Sequence, residues 1–314
     1  MSWTLFCKLL RDIRWPLLFV GMLIFAYELL WAKITSRLLE ITPKLLALFG
    51  SFGAMKAFEN EVLRGPGEMI RAMLGGDMVR INDAQSLLSV GYVHPFVLTV
   101  YCIWAIGRSS GAIAGEIDRG TMELLLAQPI ARWKVVTTHL AVDLVTIPLL
   151  VGCMVLGTFV GVHLFDVYGA AAGVVGADRS VDIRLGDFLR AGGNSACLLF
   201  AVSGYTMALS ALGRYRWRVL GLAMGLTLVQ FLINVLGEVW KPLAVLRPLT
   251  VFYYYRPQPI ILRLPGQWQA SLGTAWGLDS GLAVNVAAVL LGVGLAGYLI
   301  AVWHFSRRDL PAPL

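Results

Sequence analysis

Between Val135 and Phe165 the chain runs for 31 residues on apolar and small side chains, with Asp143 as the one carboxylate. A helix needs roughly 20 apolar residues to cross the hydrocarbon core of a bilayer, so this run predicts a spanning helix with a turn or two to spare. Placing the span at Leu144–Leu164 puts Val135–Asp143 at or below the interface and makes Asp143 an interfacial residue. Five further runs meet the same test: Trp15–Ala32, Val90–Gly107, Ala191–Leu212, Val219–Leu236 and Leu282–Phe305. Only 14% of the residues are charged, where soluble domains carry about a quarter. The expected fold is an all-α polytopic membrane protein with six transmembrane helices, in a single transmembrane domain over residues 1–314.

The polar segments organise the spans. Ser2–Arg14 sets Trp3, Phe6, Leu9, Leu10 and Ile13 at helical spacing among Lys8, Arg11, Asp12 and Arg14, the pattern of an N-terminal interfacial helix. Trp15 and Trp31 bracket span 1 at headgroup level, Glu28 inside its far end is expected to snorkel or pair locally, and the span is read as retained rather than cleaved. Residues 33–89 and 237–280 are too polar to span and are read as extracytoplasmic, the first with helix-like pieces at Leu38–Phe49, Ala54–Leu63 and Glu68–Leu74. Pro95 is expected to kink span 2. Twelve of the 26 basic residues fall on the side that carries both termini and the short turns, among them Arg108, Arg132, Lys134, Arg214, Arg216, Arg218, Arg307 and Arg308. Short basic loops stay in the cytoplasm, so both termini are placed there, in a plasma (bacterial inner) membrane.

Several chemistries are excluded. None of the six lysines follows a glycine, so the chain has no P-loop, and any ATP must sit on another polypeptide. The four histidines, His94, His139, His163 and His304, lie in or beside different apolar runs without a ligand partner at helical spacing, which points to interhelical hydrogen bonding rather than a metal. The four cysteines are scattered, GxSxG is missing, and no compact basic cluster suggests nucleic acid. Ionisable residues are scarce within the spans, which counts against coupling to an ion gradient. Gly221, Gly225, Gly292, Gly294 and Gly297 are read as ordinary close packing of spans 5 and 6.

The most patterned stretch is Gly111–Lys134, between spans 2 and 3. Charges crowd its first half at Glu116, Asp118, Arg119 and Glu123. Met122, Leu125 and Leu126 form an apolar side, Pro129 stops the helix, and Arg132 and Lys134 anchor span 3. Two readings stand at this level: a knob with a charged rim that docks in a cleft of a cytoplasmic partner, or an amphipathic loop helix lying on lipid.

Glu116, Arg119-Gly120-Thr121, Glu123-Leu124-Leu125-Leu126 and Pro129 through Arg132 resemble the signature of ABC-2 type transporter permeases, of the form E-x-x-x-G-T-x-E-x-L-L-x-x-P-x-x-R. The ending Phe305-Ser306-Arg307-Arg308-Asp309-Leu310 is similar to that family's cytoplasmic tail. Ile117, Asp118 and His139 stand where the family often has basic residues. The resemblance implies a non-catalytic permease subunit of an ATP-driven ABC transporter, an exporter, with no cofactor of its own and ATP/Mg on a partner. It implies two copies of an ABC ATP-binding subunit and a second permease copy, as homodimer or related heterodimer. Coupling to the ATPase then falls to Glu116, Arg119, Gly120, Thr121, Glu123, Leu125, Pro129 and Arg132, with Leu125 as the apolar knob. The alternatives are a gradient-driven secondary transporter and a membrane component of an extracytoplasmic protein maturation system.

Overall fold

A computed structural model of the protein describes residues 3–49, 53, 83–128, 130–173, 183–272 and 283–308. The helix-like pieces expected at Ala54–Leu63 and Glu68–Leu74 lie outside the described residues. Six helices among the described residues are long and apolar enough to cross a membrane. In chain order the elements are α1 (Trp3–Phe49), α2 (Ala84–Val93), α3 (Pro95–Ser110), α4 (Ala114–Asp118), α5 (Met122–Leu126), α6 (Arg132–Leu164), α7 (Val167–Ala172), α8 (Leu185–Leu212) and α9 (Arg216–Val239). They continue with α10 (Lys241–Ala244), two 3₁₀ turns at Arg247–Leu249 and Val251–Tyr254, α11 (Pro257–Ile261), β1 (Gln269–Ser271), β2 (Ala283–Asn285) and α12 (Val286–Arg307). The two strands form a short antiparallel ribbon, with Ala270 opposite Val284.

The basic N-terminal stretch, span 1 and Lys33–Phe49 form one unbroken helix, with no turn between Arg14 and Trp15. Span 2 is two helices in series. Asp83 caps α2 by accepting from Gln85 N, which starts the helix a turn and a half before the apolar run. The break falls at His94, whose extended backbone precedes Pro95 and whose Nδ1 accepts from Phe96 N at 3.2 Å. A proline at the first position of α3 lacks only an N–H that would be unpaired there anyway.

Glycines bring the helices together in two tight pairs. On the α1–α6 seam, a Cβ at Gly157 would lie 2.7 Å from the Phe25 carbonyl oxygen, and one at Gly161 would lie 2.6 Å from Ala32 Cβ. On the α8–α12 seam, a Cβ at Gly297 would lie 2.2 Å from the Gly204 carbonyl carbon. At Gly157 and Gly297 backbone meets backbone, and at Gly161 it meets the Ala32 methyl group, the way membrane helices gain dispersion energy without a hydrophobic driving force. Gly294 and Gly297 therefore pack as expected, but a side chain at Gly221, Gly225 or Gly292 would meet nothing within 4 Å.

The segment after α9 does not stay outside the bundle. Tyr255 donates to the Tyr92 carbonyl and shares a hydrogen bond with Ser195. Asn194 holds the same segment at both ends of its amide, donating to Tyr254 O at 3.1 Å and accepting from Arg256 N at 2.8 Å. Asp187, buried at the start of α8, pairs with Arg263 at 2.6 Å and Arg190 at 3.5 Å. Thus the end of the bundle opposite the α4–α5 hairpin is closed by its own chain.

Candidate functional site

The hairpin is built by local rules. Arg119 ends α4, Gly120 follows at φ +70°, and Thr121 N and Gly120 N return to the carbonyls of Glu116 and Ile117 at 3.0 Å each. This is a Schellman close, and it needs a left-handed residue at the Gly120 position. The Glu116 carboxylate accepts from both Arg119 and the Thr121 hydroxyl, so Glu116, Arg119, Gly120 and Thr121 make one compact turn. Pro129 lies outside the described residues.

Behind the turn, the hairpin is fastened to three spans. Ser210, at the end of α8, accepts from Ile113 N and Ala114 N at 3.1 and 3.0 Å and donates to Ser110 O at 3.0 Å. Arg216, at the start of α9, lies across Gly111 and Gly115 and donates from its backbone N to Asp118 and from its guanidinium to Gly107 O, each at 3.4 Å. Arg132 donates to the Arg308 carbonyl, and Arg308 donates to Ala211 O and Gly213 O at 2.7 and 2.8 Å. The tail after α12 therefore stitches the start of α6 to the end of α8.

The apolar side of α5 faces inward. Met122 is buried, and Leu125 and Leu126 are half-buried against the core. Leu125, expected as the outward knob, is thus a packing residue; the exposed apolar side chain is its neighbour Leu124, 72% accessible. Beside it stand Asp118, Arg119 and Glu123, all exposed. The 3.6-residue period correctly grouped Met122, Leu125 and Leu126 on one side, but period alone cannot tell inward from outward on a five-residue helix.

A second cluster lies directly above the hairpin and escaped sequence reasoning. Arg108 of α3 forms an ion pair with Asp143 of α6, and Tyr298 of α12 donates to the same carboxylate oxygen. Arg108 also reaches the His139 carbonyl at 3.3 Å and lies 3.4 Å from its Nδ1. Both charges are enclosed, with side chains 7% and 0% accessible. This corrects the placement of Asp143 at the interface: the residue is solvated by an arginine, not by water. The signal was present, since a carboxylate in a long apolar run calls for a partner, and Arg108 is the cation that ends the preceding span.

Of the two expectations for Glu28, snorkelling and local pairing, the structure excludes the first: the residue is 1% accessible, and Oε2 accepts from the Thr158 hydroxyl at 3.1 Å. The Thr158 hydroxyl is in turn 3.2 Å from Tyr92 OH. Among the described residues no group of three His, Cys, Asp or Glu side chains is placed to hold a metal ion.

Six membrane-length helices, glycine-seamed pairs and a fastened polar hairpin at one end define a multi-pass α-helical membrane protein. A sequence-family model described as ABC-2 family transporter protein matches residues 22–310, and the chain belongs to that family. It is a membrane-spanning transport component of the ABC permease class. A comparison with curated proteins finds no match.

Proposed function

We propose that this permease is moved by a separate ATP-binding subunit that grips the α4–α5 hairpin. Two copies of the chain pair with two ATPase subunits, the hairpin and both termini lie in the cytoplasm, and the cargo leaves the cell. The observation that carries this reading is the two-sidedness of the hairpin. The hairpin exposes one large apolar side chain, Leu124, and the charged Asp118, Arg119 and Glu123, the makings of an apolar anchor with a charged rim. Its inner side is bonded to α3, α8 and α9 through Ser210 and Arg216. A push on such an element is passed to the spans rather than absorbed by a loose loop, which is what a two-state motion requires.

The test is co-purification of the chain with candidate ABC ATP-binding subunits from the same cell, followed by reconstitution. Glu123→Arg with Leu124→Asp changes only exposed side chains, so insertion and folding are expected to be unchanged. Like-charge placement at an interface costs several kcal/mol, and recovery of the complex is expected to fall about tenfold or more. Full recovery of the complex, with undiminished transport, would sink the proposal.

A further inference from the structure

A cavity of about 390 Å³ lies between α3 and α9, walled by Pro95, Ile103 and Gly107 on one side and Leu220, Met224 and Leu228 on the other. The one buried hydroxyl in its wall, Thr227, is already engaged with Tyr205 OH and the Ala223 carbonyl, so the wall has little to offer a polar solute. Phe231 and Phe252, edge to face with ring centroids 5.4 Å apart, close its upper end. From Gly107 to Pro95 a helix rises about 18 Å, close to the roughly 15 Å depth of hydrocarbon in a single leaflet. On the outer side of α9, Leu222, Leu226 and Val229 are exposed, so the groove opens on an apolar face of the bundle.

The foot of the groove is cationic. Leu220 and Met224 continue down α9 at helical spacing to Arg216 and Trp217. The Arg216 guanidinium lies against the Gly107 carbonyl at the lower lip, and Arg218 stacks on the Trp217 ring at 5.2 Å. Trp217 is 66% exposed, as expected of a side chain at headgroup level. An apolar slot one leaflet deep, with two guanidinium groups and an indole at its mouth, matches an anionic amphiphile end for end.

We infer that the α3–α9 groove seats one acyl chain of an anionic phospholipid from the leaflet at the hairpin end, with the headgroup phosphate beside Arg216 and Arg218. The experiment places the full-length protein in bilayers of phosphatidylcholine and phosphatidylglycerol carrying a trace of phosphatidylglycerol with a photoreactive diazirine on one acyl chain. Labelled peptides are then mapped by mass spectrometry. Residues 95–107 and 220–231 are expected to label several-fold above the exposed Leu295 and Leu299 face of α12, with competition by phosphatidylglycerol but not phosphatidylcholine. A side chain at Gly107 would meet nothing within 4 Å, so Gly107→Leu fills the slot without a clash and should cut groove labelling several-fold; Met224→Trp fills it from the other wall should the first variant fold poorly. Arg218→Gln should leave labelling in place and reduce the preference for phosphatidylglycerol about fivefold, the effect of one surface cation beside anionic lipid. Uniform labelling of all exposed helices, labelling that survives both filling variants, an unlabelled groove because a second copy of the chain is seated in it, or equal labelling by a phosphatidylcholine probe would each overturn the inference.

Discussion

Two of the carboxylates buried in the bundle, Asp143 and Glu28, are held in opposite ways. Asp143, near the hairpin, faces Arg108 and accepts from Tyr298, so charge meets charge across three helices. Glu28, farther along the α1–α6 seam, has the Thr158 hydroxyl on one oxygen, while Oε1 has no hydrogen-bond partner and no cation adjoins it among the described residues. Even the Asp143 cluster is incomplete, since Asp143 Oδ1 and Arg108 Nε lack partners among the described residues. Partly satisfied polar networks are costly in a low-dielectric interior, and neither arrangement is what a static scaffold would need. The difference teaches where rigidity lies: the hairpin end is cross-linked by charge, and the seam around Glu28 by glycine contacts and one hydroxyl.

The largest expected effect comes from splitting the ion pair. Asp143→Ala leaves Arg108 buried without its counter-charge and should cost about 3–5 kcal/mol, read as a lowered thermal midpoint in detergent. The double change Arg108→Met with Asp143→Leu should recover most of that loss. An additive double variant would show that the two residues do not act as a pair.

Tyr298→Phe comes next. It removes one hydrogen bond to a charged group and should cost about 1.5–3 kcal/mol in the same unfolding measurement, with little further effect once Asp143 is already changed. Gly120→Ala is smaller, about 1–2 kcal/mol for a side chain held left-handed. It is a control at the hairpin that should weaken the ATPase complex without touching the buried cluster. Thr158→Val should cost about 1 kcal/mol, since it removes the hydroxyl on which Glu28 rests.

Glu28→Gln is expected to be nearly neutral or stabilising, because it keeps the shape and puts an uncharged amide where a carboxyl is buried without a cation. If Glu28→Gln instead destabilises as much as Asp143→Ala, the contrast between the two carboxylates collapses. A variant that folds normally but loses transport would assign the Glu28 charge to the transport cycle rather than to the scaffold.

Much of the hairpin was legible in the sequence because its logic is local. Glu116, Gly120 and Thr121 interact within five residues of one another, although the helix close at Gly120 was not read from the sequence, which placed the stop at Pro129. The apolar runs were legible because the bilayer sets a length. The ends of elements were less so: Asp83 starts α2 ahead of the apolar run, and α1 runs through Arg14 and Pro16 although the proline removes one backbone hydrogen bond. Leu125, expected as the outward knob, packs inward because a short hairpin has no intrinsic inside until the spans pack behind it.

Chain order and composition by themselves determined that this protein crosses a membrane six times, holds its patterned hairpin between the second and third spans, and cannot bind ATP through a P-loop. Tertiary structure alone decided which charges meet and which glycines touch. Arg108 and Asp143 are 35 residues apart, Tyr255 and Tyr92 are 163 apart, and Gly204 finds Gly297 only because α8 and α12 run side by side. Such pairings depend on how helices are arranged in three dimensions. The periodicity within any one helix specifies a face, but not the neighbour that face will meet.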